Sequence, residues 1–433
     1  ITETFAFTTT IGGVAQMPEL ESRFEFKDWV PSNLWDYKKD KNIYYIDHHQ
    51  SHAAYAYLTS GFAESDILAI DGRGYKYNTV FFDKNGTPHD LNLSIGELWD
   101  YFSKELGFGT LGASKVMGLV GYGKSRKILM KLYMLLDEFW SMEDRKDENI
   151  WGRLWKIVQQ ENPRHIAYTL QQATQERIMD AVKKYKTSDN LCVTGGVAYN
   201  GYMNELLTEE WKNVFVPPAP GDEGQALGTY MHADYTLNNN IHIPDVYAGK
   251  EYEFIGDEKV DIKEVAQAIA DGQIIGWFQG KSESGHRALG NRSILADPRN
   301  PKIKSIINHT IKQREDFRPF APSVLEEHYQ DYFDTKSPSP YMSRIVKVKS
   351  DKIPGVTHID NTARIQTVNR EQNQKFYDLI NEFYKITGVP MLLNTSFNCQ
   401  EPIVETPEEA IDTFNRTEMD ILVINDYIMR KMG

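Results

Sequence analysis

The sequence predicts an α/β protein of two domains, and three observations predict it. The chain has 433 residues, and at roughly 150 residues per domain that is room for two or three. Short apolar runs lead through turns or at once into helical segments at 43–60, 191–207 and 213–228, which is α/β order. A polar stretch without period, NNNIHIPDVYAGKEYEFIGDEKV at 238–260, separates regions of different composition. Domains 1–245 and 258–433 are therefore expected.

Residues 1–42 show no clean period. IYYID (43–47) reads as a strand, and HHQSHAAYAYLTS (48–60) follows with helical potential. DILAID (66–71) is a second strand and runs into Asp71-Gly72-Arg73-Gly74. NTVFFDKNGTPHDLNLSI then reads as a hairpin turned at Asn85-Gly86. Strand, glycine turn and hairpin in that order suggest a backbone cradle for phosphate, as in the actin/sugar-kinase type of ATPase fold. Residues 97–186 are mostly helical, with apolar residues near helical spacing from Ile166 to Val182. LCVTGGVAYNGYMNELL (191–207) is a buried strand, a Gly195-Gly196 turn and a helix, and 213–228 repeats that logic through a proline loop. Such units place backbone N–H groups and a helix N-terminus beside a nucleotide.

Charge and cysteine usage exclude several classes. Acidic residues outnumber basic ones 61 to 48, for a net charge of −13. An overall cationic surface for nucleic acid is excluded, although a local basic pocket is not. Cys192 and Cys399 cannot make a disulfide framework, so a reducing cytoplasmic location is expected. No apolar run approaches the roughly 18 residues of a membrane span, and no signal peptide is visible. Neither nucleic acid nor a membrane is an expected partner. The oligomeric state is not fixed by the sequence, a homodimer being one option.

Three constellations could carry chemistry. His48 and His52 share a helix face at i, i+4 and can grip one cation; a packed or solvent-facing pair is the alternative. Asp71 ends a strand, where open sheets place their ligands. Asp222 could add an oxygen at a helix start, or serve as an N-cap with Gln225 completing a capping box. Two histidines and two carboxylates suit iron(II), zinc or manganese better than calcium. The second set is Gly72, Gly74, Gly195 and Gly196, which either let backbone approach phosphates or only make tight turns. The third is GWFQGKSESGHRALGNRSILADPR (276–299) with REDFRPFAPS (314–323), TARIQTV (362–368) and PMLLNTSFNCQEPIVETP (390–407). It gathers Arg287, Arg292, Arg299, Arg314, Arg318 and Arg364, whose forks suit carboxylate and phosphate. Asn394, Ser396 and Asn398 alternate along a strand end and so point one way. Structural salt bridges with the surplus acids are the competing reading of these arginines.

These motifs resemble the O-carbamoyltransferases, the family of nodulation protein U and the tobramycin, novobiocin and cephamycin tailoring enzymes. The resemblance rests on His48-His-Gln-Ser-His-Ala-Ala54, Gly195-Gly-Val-Ala-Tyr-Asn200, Gly221-Asp-Glu-Gly224, the 276–299 segment, Arg318-Pro-Phe-Ala-Pro-Ser323 and Asn394-Thr-Ser-Phe-Asn398. It spans about 43–430. It implies an actin-like ATPase (ASKHA) N-terminal domain and a YrdC-like α/β C-terminal domain. Carbamoyl phosphate and ATP, with Mg2+, would give carbamoyl adenylate, and a small-molecule hydroxyl would then accept the carbamoyl group. The metal, Fe(II) or another divalent transition ion, would be held by His48, His52, Asp71 and Asp222. His52, Arg287 and Arg318 would be catalytic. Gly72, Gly74, Gly195, Gly196, Asn200, Lys281, Arg292, Ser293, Arg364, Asn394, Ser396 and Asn398 would bind nucleotide or carbamoyl phosphate. Two departures stand out. Family members carry a longer segment ahead of the His motif, so a shortened first lobe is expected. The family's Arg-Met-Glu-Phe-Gly-Pro-Arg reads Lys281-Ser-Glu-Ser-Gly-His-Arg287 here, which keeps a charge at Lys281 but loses its fork. Competing readings are a threonylcarbamoyl-type transferase acting on tRNA and a nucleotide-binding regulatory protein without transfer chemistry.

Overall fold

The computed structural model describes residues 5–8, 43–72, 78–124, 130–141, 148–241 and 243–431. The chain divides into two compact units. One comprises Ile1–Tyr101, Ile178–Tyr199 and Trp211–Pro244, the other Phe102–Arg177, Asn200–Glu210 and Asp245–Gly433. Residues 102–177 and 200–210 thus cluster with the C-terminal part of the chain. Among the described residues no helix is long and apolar enough to cross a membrane.

In the first unit, β1 (Phe5–Thr8) pairs in parallel with β2 (Ile43–Ile46). A five-stranded sheet is built from β3 (Asp66–Ile70), β4 (Thr79–Phe82), β5 (Pro88–Asp90), β6 (Asn190–Thr194) and β7 (Asn213–Phe215), in the order β5-β4-β3-β6-β7. β3, β4 and β5 form an antiparallel meander, while β3, β6 and β7 run parallel. The meander turns at Gly86, whose φ of 80° is costly for a residue with a Cβ. The Asp83 side chain there accepts the Asn85 and Thr87 amides. The helix His48–Ser60 begins at Asp47, which caps the His49 and Gln50 amides, and stops at Gly61 in the left-handed conformation. Its packing partner is the helix Gln225–Asn238. The two backbones approach closely because position 228 is glycine: a Cβ there would lie 2.0 Å from the Ser51 carbonyl oxygen.

Asp66 ties this sheet together from a fully buried position. Its carboxylate accepts from the Thr187 amide at 3.0 Å, the Thr187 hydroxyl at 2.6 Å, the Ser188 amide at 3.0 Å and the Trp211 indole N–H at 3.0 Å. The start of β3 is thereby bonded to the entry of β6 and to the segment before β7.

In the second unit nine strands form one sheet. They are β8 (Ile275–Phe278), β9 (Arg292–Ala296), β10 (Ala321–Leu325), β11 (Phe333–Asp334), β12 (Arg344–Val348), β13 (Thr362–Val368), β14 (Met391–Ser396), β15 (Ile421–Ile424) and β16 (Tyr427–Arg430). The spatial order is β11-β12-β13-β10-β14-β9-β8-β15-β16. The central strands are buried on both faces, and Ile275, Leu295, Val324, Leu393 and Val423 join the core formed with Ile269, Ile307, Phe376 and Phe414. β14 runs antiparallel to both β10 and β9, with Asn394 opposite Ala321 and Ser396 opposite Ser293. The end of β14, the entry to β10 and the entry to β9 therefore meet at one edge, and the candidate ligand segments come together there. The helix Gly201–Leu207 packs on β12 through Gly201, where a Cβ would lie 2.7 Å from Ile345 Cγ1.

Asp66→Ala would leave four donors without their acceptor, two of them, the Ser188 amide and the Trp211 indole N–H, buried. We expect the loss of roughly 3 kcal/mol or more of unfolding free energy, read as a lower urea midpoint. A midpoint equal to wild type would show that Asp66 does not hold the sheet.

Candidate functional site

Among its described residues the first unit carries one His/Asp cluster. Ligand atoms of His48, His52, Asp71 and Asp222 all lie within 4.8 Å of one another. His48 Nε2 is 2.7 Å from Asp71 Oδ2 and 3.8 Å from Asp222 Oδ1. His52 Nε2 is 3.4 Å from each of those oxygens. Both rings are buried, Asp71 is half-buried and Asp222 is exposed, so the cluster is closed on the helix side and open on the Asp222 side. Burial opposes an imidazolium at His52, but the hydrogen bonds to Asp222 and Asp71 override it and push the pKa up to about 9. Burial of Asp71 likewise disfavours its charge, and its hydrogen bonds to His48 and His52 hold it well below the usual carboxylate range. Two imidazoles with two carboxylates form a donor set that fits a divalent transition metal.

Backbone fixes Asp71. Its Oδ1 accepts from the Gly72 amide at 2.7 Å and the Gly196 amide at 3.3 Å. A Cβ on Gly196 would lie 3.1 Å from that oxygen, and one on Gly195, at φ 87°, would lie 2.1 Å from the Ile70 carbonyl oxygen. These glycines thus allow close approach of the β6 turn to the end of β3. Gly74 lies outside the described residues. The capping-box reading of Asp222 and Gln225 is corrected. The N-cap positions here are Gly221 and Gly224, neither with a side-chain cap, because the Gln225 carboxamide turns instead to His48 and His52.

Two cavities of the second unit share lining residues. One, of about 680 Å³, is lined by Lys115, Lys312, Arg314, Arg318, Ser396 and Asn398 among others. The other, of about 270 Å³, is lined by Arg287, Arg314, Arg318, Arg364, Asn394 and Ser396, with Met117, Phe317 and Met342 as apolar walls. Burial and the neighbouring Arg318 lower Arg287 to about 10 and Arg314 to about 9. Burial and Arg287 depress Arg364 strongly. Burial and then Arg314 and Arg318 depress Lys312 well below its ordinary value. Cations that repel one another in a partly dry cavity are stabilised by an incoming anion.

Two acids shape the walls. Glu283 Oε1 accepts the amides of Leu289 at 2.7 Å, Asn291 at 2.7 Å and Arg292 at 3.2 Å, which curls the loop bearing Arg287. Glu401 accepts the Cys399 and Gln400 amides and the Thr413 hydroxyl, which closes the loop bearing Asn398.

A family model described as Carbamoyltransferase N-terminus matches residues 23–231, and one described as Carbamoyltransferase C-terminus matches 266–431. The chain belongs to the carbamoyltransferase family. Nodulation protein NolO of Bradyrhizobium diazoefficiens is 36% identical over 89% of this chain and 79% of its own. Nodulation protein NolNO of Sinorhizobium fredii is 38% identical over 90% of this chain, which spans only 64% of that relative. A crystal structure of full-length HypF in the phosphate- and nucleotide-bound form overlaps 42% of this chain and 23% of its own, at 20% identity and a TM-score of 0.29. So partial an overlap decides nothing about the chemistry here.

The carbamoyltransferase therefore transfers carbamoyl groups, and its sequence-predicted residues fall into distinct places. His48, His52, Asp71 and Asp222 converge, as do Arg287, Arg318, Arg364, Asn394, Ser396 and Asn398 around the two cavities. Others line neither cavity. Arg292 is fully buried, donates to the Gln279, Asn291 and Gly280 carbonyls and stacks on Phe278 at 3.6 Å. Ser293 is also buried and accepts the Gly290 amide. Asn200 caps the Gly201–Leu207 helix and pairs with Gln171. Lys281 is exposed. Arg299 is bound to Asp297. Lys312 was not read from the sequence; its signal was the Lys312-Gln313-Arg314 spacing at the edge of the arginine-rich block.

Glu401 supplies a pH prediction. Burial would raise its pKa, but the hydrogen bonds from Cys399, Thr413 and Gln400 hold it at about 2, against an ordinary value of 4.5. A carboxylate depressed on folding stabilises above its unfolded pKa, and that stability is lost as pH falls from there through the folded pKa. Wild type is expected to lose more stability than Glu401→Gln as pH falls from 4.5 to 2, measured by chemical denaturation. Equal slopes would contradict this.

Proposed function

We propose that this carbamoyltransferase is an ATP-dependent O-carbamoyltransferase that activates the carbamoyl group as an adenylate. One observation carries the reading: Lys312, Arg314 and Arg318 converge with Ser396 and Asn398 on one cavity, inside the segment matched by the family's C-terminal model. A carbamate is a poor electrophile, and joining it to AMP supplies a good leaving group. Water releases phosphate from carbamoyl phosphate. The carbamate oxygen then attacks the α-phosphorus of ATP, its bond to phosphorus forms, and pyrophosphate leaves with the electron pair. Lys312, Arg314 and Arg318 neutralise the phosphates and stabilise the charge that develops on the leaving pyrophosphate. Arg287 and Arg364 offer forks to carbamoyl phosphate, while Ser396 and Asn398 offer polar contacts to the adenylate.

Transfer is assigned to the first unit. There an acceptor hydroxyl attacks the carbamoyl carbon, its proton is taken up and AMP departs, leaving an O-carbamate. A divalent metal, iron(II) in this proposal, would be held by His48, His52, Asp71 and Asp222 and would supply Lewis acidity toward the carbonyl or the phosphate. Gly72, Gly195 and Gly196 let the backbone approach the nucleotide. The meander followed by two parallel strands supports an actin-like ATPase fold for this unit, and the proposal includes a YrdC-like role for the other.

The two steps separate by mutation. Arg318→Ala should slow carbamoyl-phosphate-dependent pyrophosphate release by on the order of a hundredfold, roughly 3 kcal/mol. His52→Ala should retain pyrophosphate release and lose the mass gain of one carbamoyl group on a panel of alcohols. Full pyrophosphate release by Arg318→Ala, or loss of both steps in folded His52→Ala, would overturn the assignment.

A further inference from the structure

We infer that Gln225 supplies a fifth, oxygen donor to a cation held by the His48, His52, Asp71 and Asp222 cluster. This rests on the metal reading above and adds a residue to it. The Gln225 side chain is 3% exposed. The end of its carboxamide lies 3.1 Å from His48 Nε2 and 3.0 Å from His52 Nε2. The same atom is 2.6 Å from His48 Nδ1, so it sits close against the ring rather than out at a distant rim.

The local sequence explains this placement. Asp222 and Gln225 are three residues apart across the turn Asp222–Gly224 and the first residue of the helix Gln225–Asn238. At i, i+3 they share a face. Gly224 makes room, since a Cβ there would lie 2.8 Å from the Tyr55 ring. No capping duty occupies the carboxamide. A long polar side chain that could have reached solvent is instead buried against two imidazoles, at the cost of its rotamer freedom.

The two ends of a carboxamide do different things. With Nε2 inward, an amide donor sits beside imidazole nitrogens that already turn to the Asp71 and Asp222 carboxylates. Rotation about the last torsion, which is broad and roughly two-fold, puts Oε1 in the same space. That oxygen would then lie 3.1 Å from His48 Nε2 and 3.0 Å from His52 Nε2, the spacing of donor atoms that share one ion with bonds of about 2.1 Å. It carries no charge, so it adds a ligand to two nitrogens and two carboxylates without adding a negative charge to the site.

The test uses cobalt(II) as the probe, in the full chain, with Gln225→Leu, Gln225→Glu and His52→Ala. Cobalt(II) absorbs more strongly in the visible when four-coordinate than when five-coordinate, so the spectrum reports ligand number independently of activity. Gln225→Leu should bind cobalt roughly tenfold to a hundredfold more weakly, with a more intense visible band. Gln225→Glu should keep the wild-type band shape and bind more tightly. If Gln225→Leu has the wild-type spectrum and affinity, or if Gln225→Glu takes on the intense four-coordinate band, the inference is wrong. The underlying metal reading fails separately, if His52→Ala binds cobalt as wild type does. Should Gln225→Leu not fold, Gln225→Ala takes its place: a more intense band than wild type supports the inference, and an unchanged band and affinity overturn it.

Discussion

The Lys312 ammonium is the group on which the second unit's cavity depends. It is buried, and it is held by the Ser396 carbonyl and hydroxyl and by both oxygens of Asn398. An ammonium out of water without such partners would lose its proton or unfold its surroundings. Holding it fixes the course of the chain just beyond β14, and Glu401 then closes that loop from the other side. Arg314 and Arg318 follow Lys312 within six residues of chain and line the same cavity. The sheet supplies the convergence, because β14 runs between β10 and β9 and brings Ser396, the Arg318 segment and the Glu283 loop to one edge. Burial first, and for Lys312 and Arg314 their cationic neighbours second, lower the pKa values of these groups, and an incoming phosphate would relieve both.

The first unit solves a different problem. Its cluster needs two buried imidazoles beside a carboxylate that stays ionised. A helix with Ala53, Ala54 and Ala56 can lie close to its neighbours, and Asp47 caps it where the histidines begin. Asp71 arrives from β3 and is held by glycine amides, which stabilise the carboxylate without bringing a competing charge. The alternation of small residues and glycines at 51–56, 195–196, 224 and 228 is thus a packing requirement of the cluster as well as of the fold.

Much of this was legible in the sequence. The i, i+4 histidines could be read because the helix period alone puts them on one face, and Asp71 because strand ends host ligands. The hairpin at Asn85-Gly86 followed from its turn residues. Legibility failed where a side chain's partners come from distant segments. Arg292 looked like its arginine neighbours, yet its strand register turns it inward onto Phe278 and three carbonyls. Asn200 sat in a glycine-rich motif but is spent on a helix cap. Gln225 carried a spacing that suited a capping box, and only the packing of two helices shows it aimed at the histidines. Lys312 had only its spacing from Arg314 to mark it, since the loop after β14 that binds it lies over eighty residues away in the chain. Residues 102–177 precede the polar linker and still cluster with the chain beyond it, a grouping that local composition does not encode.

The central claim is that the cationic cavity joins a carbamoyl group to AMP. It is tested most directly by the exchange of labelled pyrophosphate into ATP, with no acceptor present. Reversal of adenylate formation predicts exchange that requires carbamoyl phosphate and stops when it is omitted. Consumption of carbamoyl phosphate with no label entering ATP would contradict the account.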